Sequence, residues 1–246
     1  MHVSVILAGC GIAAAAAALR RLTGMGFAMV SVAFLSLMLR PQEAVLITLV
    51  LQLFLGVRNA RMIVSDTCWR LLPWMLAAAL VATPTGLGLV HAVSEHVLRL
   101  LIGITVLLGL VPLLSNGAPR SRTVEAGPAA TLTSGFLAGF LNSVAAMPAP
   151  PLLLYLMRLP GISLEQRRAT LITIFTLLST ASLAGRAVSG DIDRHSVIFA
   201  LLLCPATLIG DYIGRNTPWS FNRTIVDRLS VAVVVVSAAT LVGSAL

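Results

Sequence analysis

The sequence predicts an all-α polytopic membrane protein made of two inverted-topology repeats, each of about five hydrophobic segments, with short broken helices at equivalent positions. Three observations carry this. Mean hydropathy is +0.97, with 58% apolar and 11% charged residues, against roughly 45–50% and 25% in soluble domains. Ala44 to Thr48 read A-V-L-I-T, and Ala169 to Thr173, 125 positions later, read A-T-L-I-T. The same offset carries Arg61 onto Arg186 and Asp66 onto Asp191, and charges are scarce enough here for that coincidence to mean duplication. Finally, the apolar segments divide into two sets of five, and an odd number of crossings turns the second copy upside down.

Arginine clusters, Gly/Pro turns and apolar length punctuate the segments. The first repeat, residues 1–118, holds segments at about 3–19, 24–39, 43–62, 70–91 and 96–114. Residues 119–128, with the adjoining Ser115 to Pro119, are polar, lack an apolar period and read as the linker. The second repeat, 129–246, holds segments at about 129–146, 148–159, 166–188, 195–215 and 225–245. Ten crossings place thirteen of the 17 arginines on one face and only Arg40, Arg99, Arg186 and Arg194 on the other. The rich face is therefore expected on the cytoplasmic side, with both termini outside. The chain has no lysine, so its charge of +8 is all guanidinium; it is assigned to the lipid surface, and no nucleic-acid partner is expected.

Cys10, Cys68 and Cys204 lack metal-ligand spacing, as do the four histidines, so neither a cofactor, a metal nor a disulfide framework is expected. Leu7-Ala8-Gly9-Cys10 has the look of a lipoprotein cleavage box, but the basic residues and apolar length that should precede it are missing, and an uncleaved first helix is expected. No G-x-S-x-G or H-E-x-x-H occurs, which argues against an intramembrane enzyme. No helix shows a polar period along its length, which argues against a continuous aqueous pore. The alanines from Ala13 to Ala18 and the Gly135/Gly139 spacing allow close helix approach, within the chain or in a homodimer.

Segments 24–39 and 148–159 are too short to cross a core of about 30 Å alone, covering roughly 24 and 18 Å, with ordinary tight turns between full helices as the plainer alternative. They occupy the same place in each repeat, before Pro41 and Pro160. Each follows a helix-breaking stretch: Thr23-Gly24-Met25-Gly26, ahead of Phe27, and Asn142-Ser143 through Met147-Pro148-Ala149-Pro150-Pro151. Paired interruptions mark the binding site of a transporter, because a broken helix offers backbone N–H groups and the positive end of its dipole to an anion. The candidate substrate-binding residues are therefore Gly24, Gly26, Phe27, Asn142, Ser143, Met147, Pro148, Ala149 and Pro150. To these are added the repeat-equivalent hydroxyls Thr48 and Thr173, with back-bonding to their own helices as the plainer alternative. Gln42 offers an amide donor, and Glu43 and Asp211 are acids suited to proton coupling. Asp211 has Arg215 four residues on as an ion-pair partner, and Arg61–Asp66 and Arg186–Asp191 read as braces at helix ends.

The run from Gly135, G-F-L-A-G-F-L-N-S-V-A-A-M-P-A-P-P, through E-Q-R-R-A-T-L-I-T-I-F, resembles the second repeat of the TauE/SafE sulfite exporter family. Gly24-Met25-Gly26-Phe27 and Pro41-Gln42-Glu43-Ala44-Val45 resemble the matching parts of the first. The chain departs from the family's glycine-rich turn, typically G-x-G-G-P-P, which stands here as Ala145-Ala146-Met147-Pro148-Ala149-Pro150-Pro151. The resemblance implies an inner-membrane carrier exporting sulfite, sulfoacetate or related organosulfonates. It makes Arg168, the Arg of the family's R-A-T motif, the first charged candidate for binding the substrate, with a surface arginine contacting lipid phosphate as the plainer alternative. A carrier for a different anion, or a non-transporting membrane subunit, is the alternative.

Overall fold

The computed structural model describes residues 3–23, 26–114 and 127–216, and these form nine α-helices and one short 3-10 turn, with no strand among them. Gly24, most of the linker and the tenth segment at 225–245 lie outside the described residues.

Helix α1 spans Val3–Thr23, α2 Phe27–Met38 and α3 Pro41–Ile63, followed by the 3-10 turn Val64–Asp66. Then come α4 (Leu72–Ala92), α5 (Glu95–Leu114), α6 (Pro128–Ala145), α7 (Ala149–Arg158), α8 (Leu164–Val188) and α9 (Arg194–Asn216). The starts follow from local chemistry. Proline suits the first turn of α6, where its missing N–H would find no intrahelical acceptor. A capping box starts α8 two residues earlier than the apolar pattern suggests. The Ser163 hydroxyl accepts from the Gln166 N–H at 3.1 Å, and the Gln166 side-chain Oε1 accepts from the Ser163 N–H at 3.1 Å. Ahead of α9, the Asp193 carboxylate accepts from the Ser196 N–H (2.9 Å) and hydroxyl (3.2 Å). The backbone bond from Ser196 is the main reason that carboxyl lies below its ordinary range.

Among the described residues, five helices are long and apolar enough to cross a membrane: Val3–Arg20, Pro41–Ala60, Leu72–Ala92, Leu164–Val188 and Arg194–Asn216. The 12 residues of α2 and the 10 of α7 rise only about 18 and 15 Å and cannot. Large apolar side chains such as Leu7, Trp74, Val81, Leu201 and Ile209 are exposed on the outer faces, as a lipid-facing surface requires.

Close approach of backbones holds the bundle together. Gly135 and Gly139 of α6 lie against the backbone of Met75 and Ala79 in α4, so the G-x-x-x-G spacing serves packing within the chain. Gly210 of α9 rests on the Ala14 backbone within the alanine run of α1. At the centre α3 meets α8, with Gly56 leaving room for the Thr176 side chain. The packing partners exchange between halves: α4 lies on α6 as α9 lies on α1, and α8 lies on α4 as α3 lies on α9.

Candidate functional site

Two broken helices meet at the centre. Helix α6 ends in an αL cap, with Ala146 N–H bonded to Asn142 O (2.9 Å) and, one residue on, Met147 N–H to Leu141 O (3.4 Å). Ala146 adopts the left-handed conformation, φ 53°, normally filled by glycine, and is fully buried. The chain then re-enters at once as α7. On the other side Gly26, at φ 101°, turns the chain into α2, whose first internal hydrogen bond runs from Val30 N–H to Gly26 O at 3.1 Å. Neither short helix has a side-chain cap.

Both N-termini border one small cavity, lined by Gly26, Phe27 and Met29 from the first break and Met147, Pro148 and Ala149 from the second. Gln52 of α3, Phe175 and Thr176 of α8, and Arg20 from the last turn of α1 complete the wall. The amides of Phe27, Ala28 and Met29 have no acceptor within their own helix. Fewer donors come from α7, since Pro148, Pro150 and Pro151 carry no N–H and leave Ala149 as the amide at the cavity edge. The result is a compact site with two converging helix dipoles, one nearby guanidinium and largely apolar walls, suited to a small anion.

Gln52 ties the site together. Its side-chain NH2 donates to Ala146 O at 3.0 Å and its carbonyl oxygen accepts from the Ser179 hydroxyl at 2.9 Å, so α3, α8 and the α6 turn are joined at one buried amide. Behind the turn, Asn142 donates to the Ser182 hydroxyl (2.9 Å), Ser143 lies 3.4 Å from the same oxygen, and Arg186 donates to Ser143 O (3.1 Å). Thr176, Ser179, Ser182 and Arg186 therefore line a single face of α8 at helical spacing. This is a polar period that the sequence expectation of none had passed over.

Of the sequence-derived candidates, Gly26, Phe27, Met147, Pro148 and Ala149 share the cavity wall, Pro150 sits in the buried first turn of α7, and Asn142 and Ser143 form the layer behind. The others lie elsewhere. Gln42 is exposed and Glu43 half-buried at the first turn of α3, beyond the far end of α2. Arg168 stands in the opening turns of α8, two turns from Thr176 and past the far end of α7. Thr48 bonds the Ser31 hydroxyl of α2 at 3.0 Å, and Thr173 bonds the Thr67 hydroxyl at 2.9 Å, so both join neighbouring segments in place of back-bonding. Asp211 is buried in an ion-pair cluster with Arg215 (3.5 Å) and Arg58 (3.6 Å) and does not line the cavity. The expected Arg186–Asp191 brace acts through space without direct side-chain contact: Arg186 donates to Ser143 O at 3.1 Å, and Asp191 Oδ2 lies 2.9 Å from His91 Nε2. The Arg61 side chain falls outside the described residues.

Comparison with known proteins adds the family. No curated protein and no solved structure matches the chain. The model of one transporter family, described as Sulfite exporter TauE/SafE, matches residues 8–241. That match takes in both broken helices and every residue of the cavity wall, and the chain belongs to the sulfite exporter TauE/SafE family.

Proposed function

We propose that this protein is a secondary carrier that exports small sulfur-containing anions, of the sulfite, sulfoacetate or organosulfonate type, across the bacterial inner membrane by alternating access. The observation that carries this reading is the meeting of two uncapped short-helix N-termini, from equivalent positions of the duplicated sequence, at one cavity. The substrate exchanges its water for the amides of α2, the Ala149 N–H and the field of Arg20. Membership of a sulfite exporter family supports the substrate class.

Exchange of packing partners between the halves supports inverted repeats rocking against one another about the central α3–α8 contact. The cavity is bordered by Arg20, one of the arginines expected on the arginine-rich side. This corresponds to a state facing the cytoplasm, the side from which an exporter loads. An anion leaving a negative interior gains about 2.3 kcal/mol per charge per 100 mV, enough to drive net export without a coupled ion.

The test is flux of radiolabelled sulfite and sulfoacetate in proteoliposomes under an imposed potential. Saturable, potential-driven flux that falls in Arg20→Gln is the expected result. Absence of saturable flux of either compound by folded protein would overturn the substrate assignment.

A further inference from the structure

Arg186 is 2% exposed, yet it makes one hydrogen bond, to Ser143 O, and its Nε has no partner. A guanidinium carries five donors, and burying it with so few satisfied is costly unless a further ligand completes it. Its surroundings are polar and equally buried. Asn142, Ser143 and Ser182 are each 0% exposed, and the Ser143 hydroxyl donates to Gly139 O at 3.0 Å. The Ser182 hydroxyl accepts from Asn142 and has for its own proton only a long 3.4 Å contact to Ser143. Asp191, the acid closest in sequence, has its Oδ2 2.9 Å from His91 Nε2 and acts on the Arg186 charge through space, but it supplies none of the missing hydrogen bonds.

This cluster adjoins the cavity through the end of α6: Arg186 binds Ser143 O, and Met147, four residues on, lines the cavity. The ten residues from Thr176, at the cavity, to Arg186 cover about 15 Å of α8, half the thickness of a bilayer core. From these facts we infer that Arg186, with Asn142, Ser143 and Ser182, is a second binding station for a small oxyanion. It is closed in this conformation and is occupied when the α6–α7 turn moves aside and the carrier faces outward. The Ser143 carbonyl is the placeholder that the Arg186 guanidinium exchanges for the substrate, and the face of α8 between Thr176 and Arg186 is the track joining the two stations. This inference rests on the carrier reading above and adds to it a residue outside the cavity.

The experiment compares radiolabelled sulfite uptake by right-side-out and inside-out membrane vesicles containing the wild type, Arg186→Gln or Ser182→Ala. In Arg186→Gln, half-saturation at the outer face rises about tenfold, the loss of one charge-assisted hydrogen bond. At the cytoplasmic face, which loads the cavity, it stays within about twofold of wild type. Unchanged half-saturation at both faces overturns the inference, as does an equal loss at both, which is what a purely structural cap on α6 would give. If Arg186→Gln does not fold, Ser182→Ala carries the test: a rise of about threefold confined to the outer face supports the station, and no rise, or one shared by both faces, overturns it. If the wild type carries no sulfite in either orientation, the carrier reading fails on its own. The station is then judged by thermal unfolding of purified protein against a sodium gluconate control. A saturable rise of the midpoint with sulfite that Arg186→Gln abolishes supports the station, and no rise, or one the variant retains, refutes it.

Discussion

Replacing Gln52 with leucine should cost about 2 kcal/mol of stability, and the figure follows from its two bonds. Interhelical hydrogen bonds within membranes average about 0.6 kcal/mol when measured by double-mutant cycles. Loss of the bonds to Ala146 O and from Ser179 therefore removes about 1.2 kcal/mol. Leucine also leaves the buried Ala146 carbonyl without its side-chain donor. That penalty alone is about 1–3 kcal/mol in a dry site, and water from the adjoining cavity reduces it toward the lower end. The assay is equilibrium unfolding by sodium dodecyl sulfate in mixed micelles, run as a cycle with Ser179→Ala. Alone, Ser179→Ala should cost about 0.6 kcal/mol, and on the Gln52→Leu background close to nothing, because its acceptor is already gone. A loss below about 0.5 kcal/mol in Gln52→Leu, or full additivity with Ser179→Ala, would refute the view that this amide latches the turn.

Two further predictions concern the scaffold. Gly139→Leu places its Cβ on the backbone of Ala79 and should cost about 2–3 kcal/mol in the same unfolding assay; a loss within error would mean that α4 and α6 are spaced more widely than described. Asp193 has a depressed carboxyl pKa in the folded chain, so its contribution is present above the ordinary carboxylate range, near 4, and is lost as pH falls through the folded value. Asp193→Ala should therefore lower the unfolding midpoint at pH 7 and bring no loss once both proteins are held well below pH 4; an equal gap at both pH values would rule out the cap.

The outline of the fold was legible because apolar length and helix breakers act locally. The segment expected at 148–159 is α7 at Ala149–Arg158, and that expected at 43–62 is α3 at Pro41–Ile63. The start of α8 was missed because the S-x-x-Q capping box belongs to the polar flank and not to the apolar pattern. In the site, the broken backbone was visible in Gly26 and Pro148, whereas the side chains that serve it were not. Gln42 and Arg168 drew notice by standing beside repeated motifs, but both begin long helices at the far ends of α2 and α7. The amide at the cavity is Gln52, ten residues along α3, and its partner Ser179 comes from the other half of the chain. Only the tertiary crossing of α3 and α8 brings those two together. Arg186 carried a readable signal, since Ser179, Ser182 and Arg186 recur at helical spacing, but its pairing with Asp191 in both halves of the sequence suggested a local ion pair instead.

The prolines of α7 bear on how quickly the protein works. Its N-terminus attracts an anion through the helix field but offers few N–H groups to hold it, while α2 supplies three. On the proposed reading, a substrate is gripped from one half of the molecule and merely guided from the other. Grip of that lopsided kind shortens dwell time, because breaking contact with α2 is enough for departure. A carrier is limited by its slowest step, and a site that seized the anion from both sides would hold it through the conformational change and release it late.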